Sequence, residues 1–125
     1  KKIIKKNYNS GYEVFSHGGT KNTNLDAVEW AIKCANLGAG EVLLTSMDND
    51  GTKKGFDIDL TKKITSAVKI PVIASGGVGK LKHFTEGAIE TKATGLLAAS
   101  VFHYGELTIK QVKQELHSHG IPVRI

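Results

Sequence analysis

Apolar positions along this chain follow two alternating rhythms. Short unbroken runs (Val42-Leu43-Leu44, Val72-Ile73-Ala74 and residues 95–99) read as strands covered on both faces, since a parallel strand packed between helices has no polar side. Between them, apolar residues recur at helical spacing: Ala27, Val28, Ala31, Ile32 and Ala35, then Ile64, Ala67 and Val68, and finally Ile109, Val112 and Leu116. Local signals set the expected boundaries. A turn at Asn9-Ser10-Gly11 precedes a strand over residues 12–16. Asn24 caps a helix over 25–37, which Gly38 ends. A strand over 41–45 follows. Asp59 caps a helix through Val68, Pro71 opens the next strand, a helix runs over 81–91, and the last spans 108–119 before Gly120.

The predicted order is βαβαβα with an additional strand in front, at about thirty residues per unit. That is the rhythm of a (β/α)8 TIM barrel, an α/β fold of parallel strands alternating with helices. A complete barrel takes about 250 residues, so the 125 residues here read as one half-barrel unit over 1–125. The alternation predicts that Val42, Leu44, Ile73 and Leu96, or their neighbours, line the apolar face that the rest of a barrel covers.

Composition narrows the class. Hydrophobic residues at 40% and charged residues at 23% describe a water-soluble globular chain. No run approaches the roughly 20 apolar residues of a membrane span, and Lys1-Lys2-Ile3-Ile4-Lys5-Lys6 has too short an apolar centre for a signal peptide. The single cysteine, Cys34, lies in a helical pattern without a nucleophile's surroundings and reads as a packing residue in a reducing cytoplasm. The lysines behind the net charge of +5 are scattered over loops and helix faces; only residues 1–6 form a cluster, and no aromatic residues interleave with it. Small anionic substrates therefore fit better than nucleic acid.

The candidate chemistry gathers at strand ends. The stretch Pro71-Val72-Ile73-Ala74-Ser75-Gly76-Gly77-Val78-Gly79-Lys80 empties a strand into a glycine-rich loop at a helix start, where free backbone N–H groups can cradle a phosphate. A branched side chain at Gly77 is expected to block that approach. Asp48-Asn49-Asp50-Gly51-Thr52 follows the preceding strand, and Ser100 ends the following one. A plain strand-to-helix turn is the competing reading of the glycine loop; agreement between adjacent strand ends favours phosphate. Asp48, Asp50 and Asp57 form the acidic cluster nearby, suited to acid–base work or to binding hydroxyls. Asp50, beside Gly51, is best read as a hydroxyl or phosphate-loop anchor. The five histidines offer no metal site: His117 and His119 point to different sides of one helix, and His17 and His103 sit near strand ends.

These residues resemble one family: the cyclase subunit of imidazole glycerol phosphate synthase, HisF. The resemblance rests on His17-Gly18-Gly19, Leu25-Asp26-Ala27-Val28-Glu29-Trp30, Gly38-Ala39-Gly40-Glu41, Leu43-Leu44-Thr45-Ser46-Met47-Asp48, Asp50-Gly51-Thr52, residues 71–77, residues 97–104 and Gly120-Ile121-Pro122-Val123-Arg124. It implies the C-terminal half of a barrel enzyme that takes ammonia from a glutaminase partner, HisH. The enzyme joins that ammonia to the bis-phosphate PRFAR, giving imidazole glycerol phosphate and AICAR without a cofactor. By matching motif, Asp50, Gly51, Gly76, Gly77, Ala99 and Ser100 would hold one substrate phosphate, Thr45 and Ser75 would line the pocket floor, and Glu41 would belong to the ammonia gate at the barrel bottom. The family's two catalytic aspartates have no counterpart here: one belongs to the N-terminal half, and the other would fall just before Lys1. The lysine-rich residues 1–7 and Glu90-Thr91-Lys92-Ala93-Thr94, where the family more often carries a Gly-Ala-Asp turn, also depart from it. Two rivals stand beside this reading: the related pathway isomerase HisA, with a similar Asp-Gly-Thr loop, and a stand-alone half-barrel that binds phosphate and pairs with itself or with a separate N-terminal half.

Overall fold

The structure, a computed structural model, describes residues 8–125; the lysine-rich start noted above lies outside the described residues. The first described elements form a hairpin, β1 (Glu13–Ser16) and β2 (Lys21–Asp26), joined by a 3-10 turn at His17–Gly19 and paired antiparallel. Helix α1 (Ala27–Asn36) follows, and then the repeating units: β3 (Val42–Thr45), α2 (Ile58–Ala67), β4 (Val72–Ser75), α3 (Leu81–Thr91) and β5 (Gly95–Leu97). The short α4 (Ser100–His103) and α5 (Ile109–Ser118) close the chain. Strands β3, β4 and β5 are parallel and lie side by side in chain order, with Val42 opposite Val72 and Ile73 opposite Gly95. The architecture is that of half a (β/α)8 barrel. The front strand is not part of this sheet: it pairs with β2, an element the hydrophobic pattern does not signal because Lys21-Asn22-Thr23-Asn24 is wholly polar.

Two helix starts differ from expectation. Asn24 sits within β2 with φ +58, and Asp26 is the cap of α1. Its carboxylate accepts from the N–H groups of Val28 (2.9 Å) and Glu29 (3.0 Å), and also from Ser10 N–H (2.9 Å) and the Ser10 hydroxyl (2.7 Å). Burial alone would raise this carboxyl's pKa; those hydrogen bonds outweigh it and hold the group below its ordinary value. In α2 the cap is Asp57, which accepts from Leu60 N–H at 3.1 Å. Asp59 sits in the first turn, accepting from the Tyr12 hydroxyl at 2.6 Å and pairing with Lys63 at 3.1 Å. In both helices the competing residue lies only two positions away, closer than sequence signals resolve a helix end.

The register of the sheet decides which apolar residues meet the helices. Val72 and Ala74 are buried, and Val42, Leu44 and Leu96 pack beside them against the helical layer. The opposite face carries Leu43, Ile73 and Leu97, with Leu43 57% exposed and Leu97 39% exposed. Of the residues expected on the uncovered face, only Ile73 lies there. Val42, Leu44 and Leu96 are one register position away, and in a period of two that single step moves a side chain to the other face. Beneath the helices the core has two parts. Tyr12, Ala31, Leu60, Ile64 and Val72 fill the space under α1 and α2. Phe84 anchors the other, edge-on to Phe56 at 6.1 Å and tilted against Phe102 at 5.8 Å. Ala67 and Ile109, expected inward, are exposed; Leu60, Thr61 and Ile64 carry the buried face of α2, and Val112 and Leu116 that of α5.

Candidate functional site

Three loops meet at the C-terminal ends of β3, β4 and β5. They enclose a pocket of about 220 Å³. Asp50 and Gly51 come from the loop after β3, Gly76 and Gly77 from the loop after β4, and Ala99 and Ser100 from the segment after β5. All six residues singled out for phosphate thus line one pocket, with Ser75 beside them. Among the described residues, the N–H groups of Gly51, Gly76 and Gly77 have no protein acceptor. Unpaired N–H groups on residues that line a pocket are what an anion site requires.

The loops are braced from behind. Gly55 N–H donates to Gly77 C=O at 2.7 Å, the Asn49 side chain donates to Gly55 C=O at 3.0 Å, and Ser46 N–H donates to Ser75 C=O at 3.1 Å. Gly76 and Gly77 hold φ +98 and +103, outside the range of ordinary L residues. A side chain at Gly77 would point not into the pocket but into the Gly55 carbonyl, with its Cβ at 2.0 Å. The glycines are required by how closely the two loops pack, a constraint the sequence alone assigned to the ligand.

The other candidates are distributed as follows. Thr45 and Ser75 are register partners on the uncovered sheet face; Ser75 borders the pocket, whereas Thr45 borders a larger cavity of about 730 Å³ between the hairpin and β3. Asp50 lines both spaces. Glu41 precedes β3, so it lies at the opposite end of the sheet from the pocket, and it too lines the larger cavity, with His17. Asp57 is engaged as the α2 cap and accepts from the Ser46 hydroxyl at 2.8 Å. Asp48 is exposed. His103 lies in α4, exposed, with its ring edge-on to Tyr104 at 5.0 Å. Cys34 is half-buried. No group of acids, histidines or cysteine able to hold a metal ion occurs among the described residues, and no helix among them is long and apolar enough to cross a membrane.

Two residues at the site were not legible in the sequence. Lys53 lines the pocket. His83, 5% exposed, lies behind it: its Nδ1 accepts from the N–H groups of Gly79 (3.0 Å) and Lys80 (3.2 Å), and its ring is in reach of Gly55. An acceptor Nδ1 must be unprotonated, so the ring is neutral with its proton on Nε2. Burial, above all, lowers its pKa below the ordinary 6.5, and Lys82 and Lys80 push the same way against Glu86. The unfolded chain takes up this proton near pH 6.5 and the folded one only at lower pH, so the contribution is complete above about 6.5 and is lost as pH falls toward and through the lowered folded value. Thermal midpoints measured from pH 8 to pH 5 (a range of about one unit or more on each side of free histidine) are expected to drop on the acid side. His83→Gln should flatten that part of the drop; an unchanged acid slope in the variant would exclude His83 as its source.

Parallel strands with helices between them define a barrel-type α/β protein, and the glycine-walled pocket at the strands' C-terminal ends is its candidate site. The family described as histidine biosynthesis protein matches residues 3–108, and the chain belongs to it. Its members are histidine-biosynthetic enzymes of the (β/α)8 class, the HisA isomerases and the HisF cyclases together.

Proposed function

We propose that this chain is the C-terminal half of a HisF-type cyclase and that its pocket holds one phosphate of PRFAR. The observation that carries the reading is the convergence of Asp50, Gly51, Gly76, Gly77, Ala99 and Ser100 on one small pocket from three consecutive loops. Within the family, Leu43-Leu44-Thr45-Ser46-Met47-Asp48 and Phe102-His103-Tyr104 favour the cyclase over the isomerase. Thr45 and Ser75 would then lie beneath the substrate on the uncovered face, and Glu41 at the far end of the same sheet would lie where ammonia from a glutaminase enters.

The 125 residues offer a phosphate cradle but no assignable acid–base pair: Asp57 is engaged in capping, and Asp50 lies at the anion pocket itself. Alone, the chain is expected to give no turnover of PRFAR with ammonium. Mixed with a polypeptide carrying the N-terminal half of a cyclase barrel, including its fifth strand, it should restore ammonia-dependent formation of imidazole glycerol phosphate. Turnover by the isolated chain would contradict the assignment of roles. Restoration of isomerase activity only, with an isomerase N-terminal half, would place the chain with HisA instead.

A further inference from the structure

Lys53 is the single cation among the residues lining the pocket, and Asp50 is the single anion. The other lining residues are uncharged; among them are Gly51, Gly76 and Gly77, with unpaired N–H groups, and the hydroxyl-bearing Ser75 and Ser100. A phosphate dianion entering beside the Asp50 carboxylate meets like charge, and the neutral donors do not cancel it. Yet the ammonium that could do so is directed elsewhere: Lys53 Nζ donates to both carboxylate oxygens of Glu106, at 2.8 and 2.9 Å. Glu106 belongs to the turn between α4 and α5 and does not line the pocket. Since β4 lies between β3 and β5 in the sheet, this ion pair joins the two segments that flank the glycine loop.

The backbone of Lys53 is fixed while its head is not. Its main chain is seated against the start of the α3 loop, where a Cβ on Gly79 would come within 2.8 Å of the Lys53 carbonyl oxygen. The side chains of Lys53 and Glu106 are 49% and 39% exposed, so water screens their attraction and the pair is weak. A doubly charged ligand held by three backbone donors is a stronger partner for an ammonium than a half-exposed carboxylate.

Resting on the phosphate reading above, we propose that Lys53 is the charge partner of the bound phosphate and that Glu106 is its holding site, competing with the ligand and thereby setting the pocket's affinity. Lys53 swings between the two anions on its flexible stem. Glu106 touches no ligand; it acts through Lys53.

The test is calorimetric titration of the 125-residue chain with inorganic phosphate at low salt, with the fold of each variant checked by circular dichroism. Lys53→Met is expected to weaken binding about tenfold and Glu106→Gln to strengthen it about threefold, since the second removes a competitor. In the Lys53→Met background, Glu106→Gln should have no effect, the non-additivity that marks action through a shared partner. Lys54→Met, one residue along and off the pocket, should change little. If the parent binds phosphate but Glu106→Gln leaves its affinity unchanged or lowered, or acts equally without Lys53, the competition is overturned while the phosphate site stands. If Lys53→Met and Lys54→Met weaken binding equally, the effect is the general positive field and the assignment of Lys53 fails. A parent chain that binds no phosphate overturns the site and the inference together.

Discussion

Gly77→Ala is expected to destabilise the whole pocket end of the molecule, not only to weaken its grip on an anion. The added Cβ would lie 2.0 Å from the Gly55 carbonyl oxygen and 2.9 Å from its carbon, and both are backbone atoms that no rotamer change can move aside. The residue also holds φ +103, where any side chain is strained. Relief requires the Gly55 loop to retreat, which breaks the 2.7 Å bond from Gly55 N–H to Gly77 C=O and the 3.0 Å bond from Asn49 to Gly55 C=O. Backbone strain and overpacking each contribute about 1–3 kcal/mol, so a loss of about 2–6 kcal/mol is expected, a large part of a domain's whole stability. Gly51→Ala is the informative comparison. Gly51 has φ +74, and a Cβ there meets nothing within 4 Å, so only the conformational cost of about 1 kcal/mol remains. Denaturant titration of the two variants should separate them clearly; equal losses would show that the close approach of the loops contributes nothing.

The second large effect concerns association. Among the described residues, the sheet presents Leu43, Ile73 and Leu97 on one face without a covering layer, and the outer edges of β3 and β5 pair with no strand. Open edges and a contiguous apolar face both promote self-pairing. The 125-residue chain is therefore expected to sediment as a dimer or larger assembly at about micromolar concentration and above. Leu43→Lys places a charge within the joined faces, where the lysine must remain unpaired or the faces must separate. It should weaken association by at least about 2 kcal/mol, near thirtyfold, while leaving the helical layer on the other side intact. A compact parent monomer at those concentrations would contradict the expectation. So would a Leu43→Lys chain that associates as tightly as the parent.

What the sequence made legible was whatever depends on period. Three unbroken apolar runs mark the three parallel strands, and the helical spacing of Ile64, Val112 and Leu116 marks buried faces that the structure retains. The glycine loop and its two neighbours could be grouped because parallel strands bring their C-terminal ends together. Choices that turn on a single residue were less legible. Whether Val42 or Leu43 faces the helices depends on register, and both are aliphatic, so the pattern carries no vote. Asp26 and Asp57 outcompete Asn24 and Asp59 as caps through contacts with Ser10 and Ser46, partners distant in sequence. His83 and Lys53 belong to no motif, because their roles come from what the fold brings alongside them: the N–H groups of Gly79 and Lys80 for one, Glu106 for the other. Lys92 is the reverse case. The family resemblance flags it as a departure from a glycine-bearing turn, and the structure places it at φ +58 at the end of α3, a position glycine takes at less cost.

Because the strands stand in the sheet in the order in which they leave the ribosome, each strand–helix unit finds its neighbour already waiting. Contacts of this kind join segments close in sequence, which favours rapid, stepwise assembly. The pocket does not share that gradualness. Its walls come from residues 50, 51 and 53, then 75–78, then 97–100, one set from each successive unit. A nascent chain with β3 and β4 in place holds the glycine loop but lacks Ala99 and Ser100, and Glu106 is still unmade. A phosphate held as proposed above would therefore have nothing complete to grip until the last unit docks, and its binding would stabilise only the finished arrangement, never the partial ones before it.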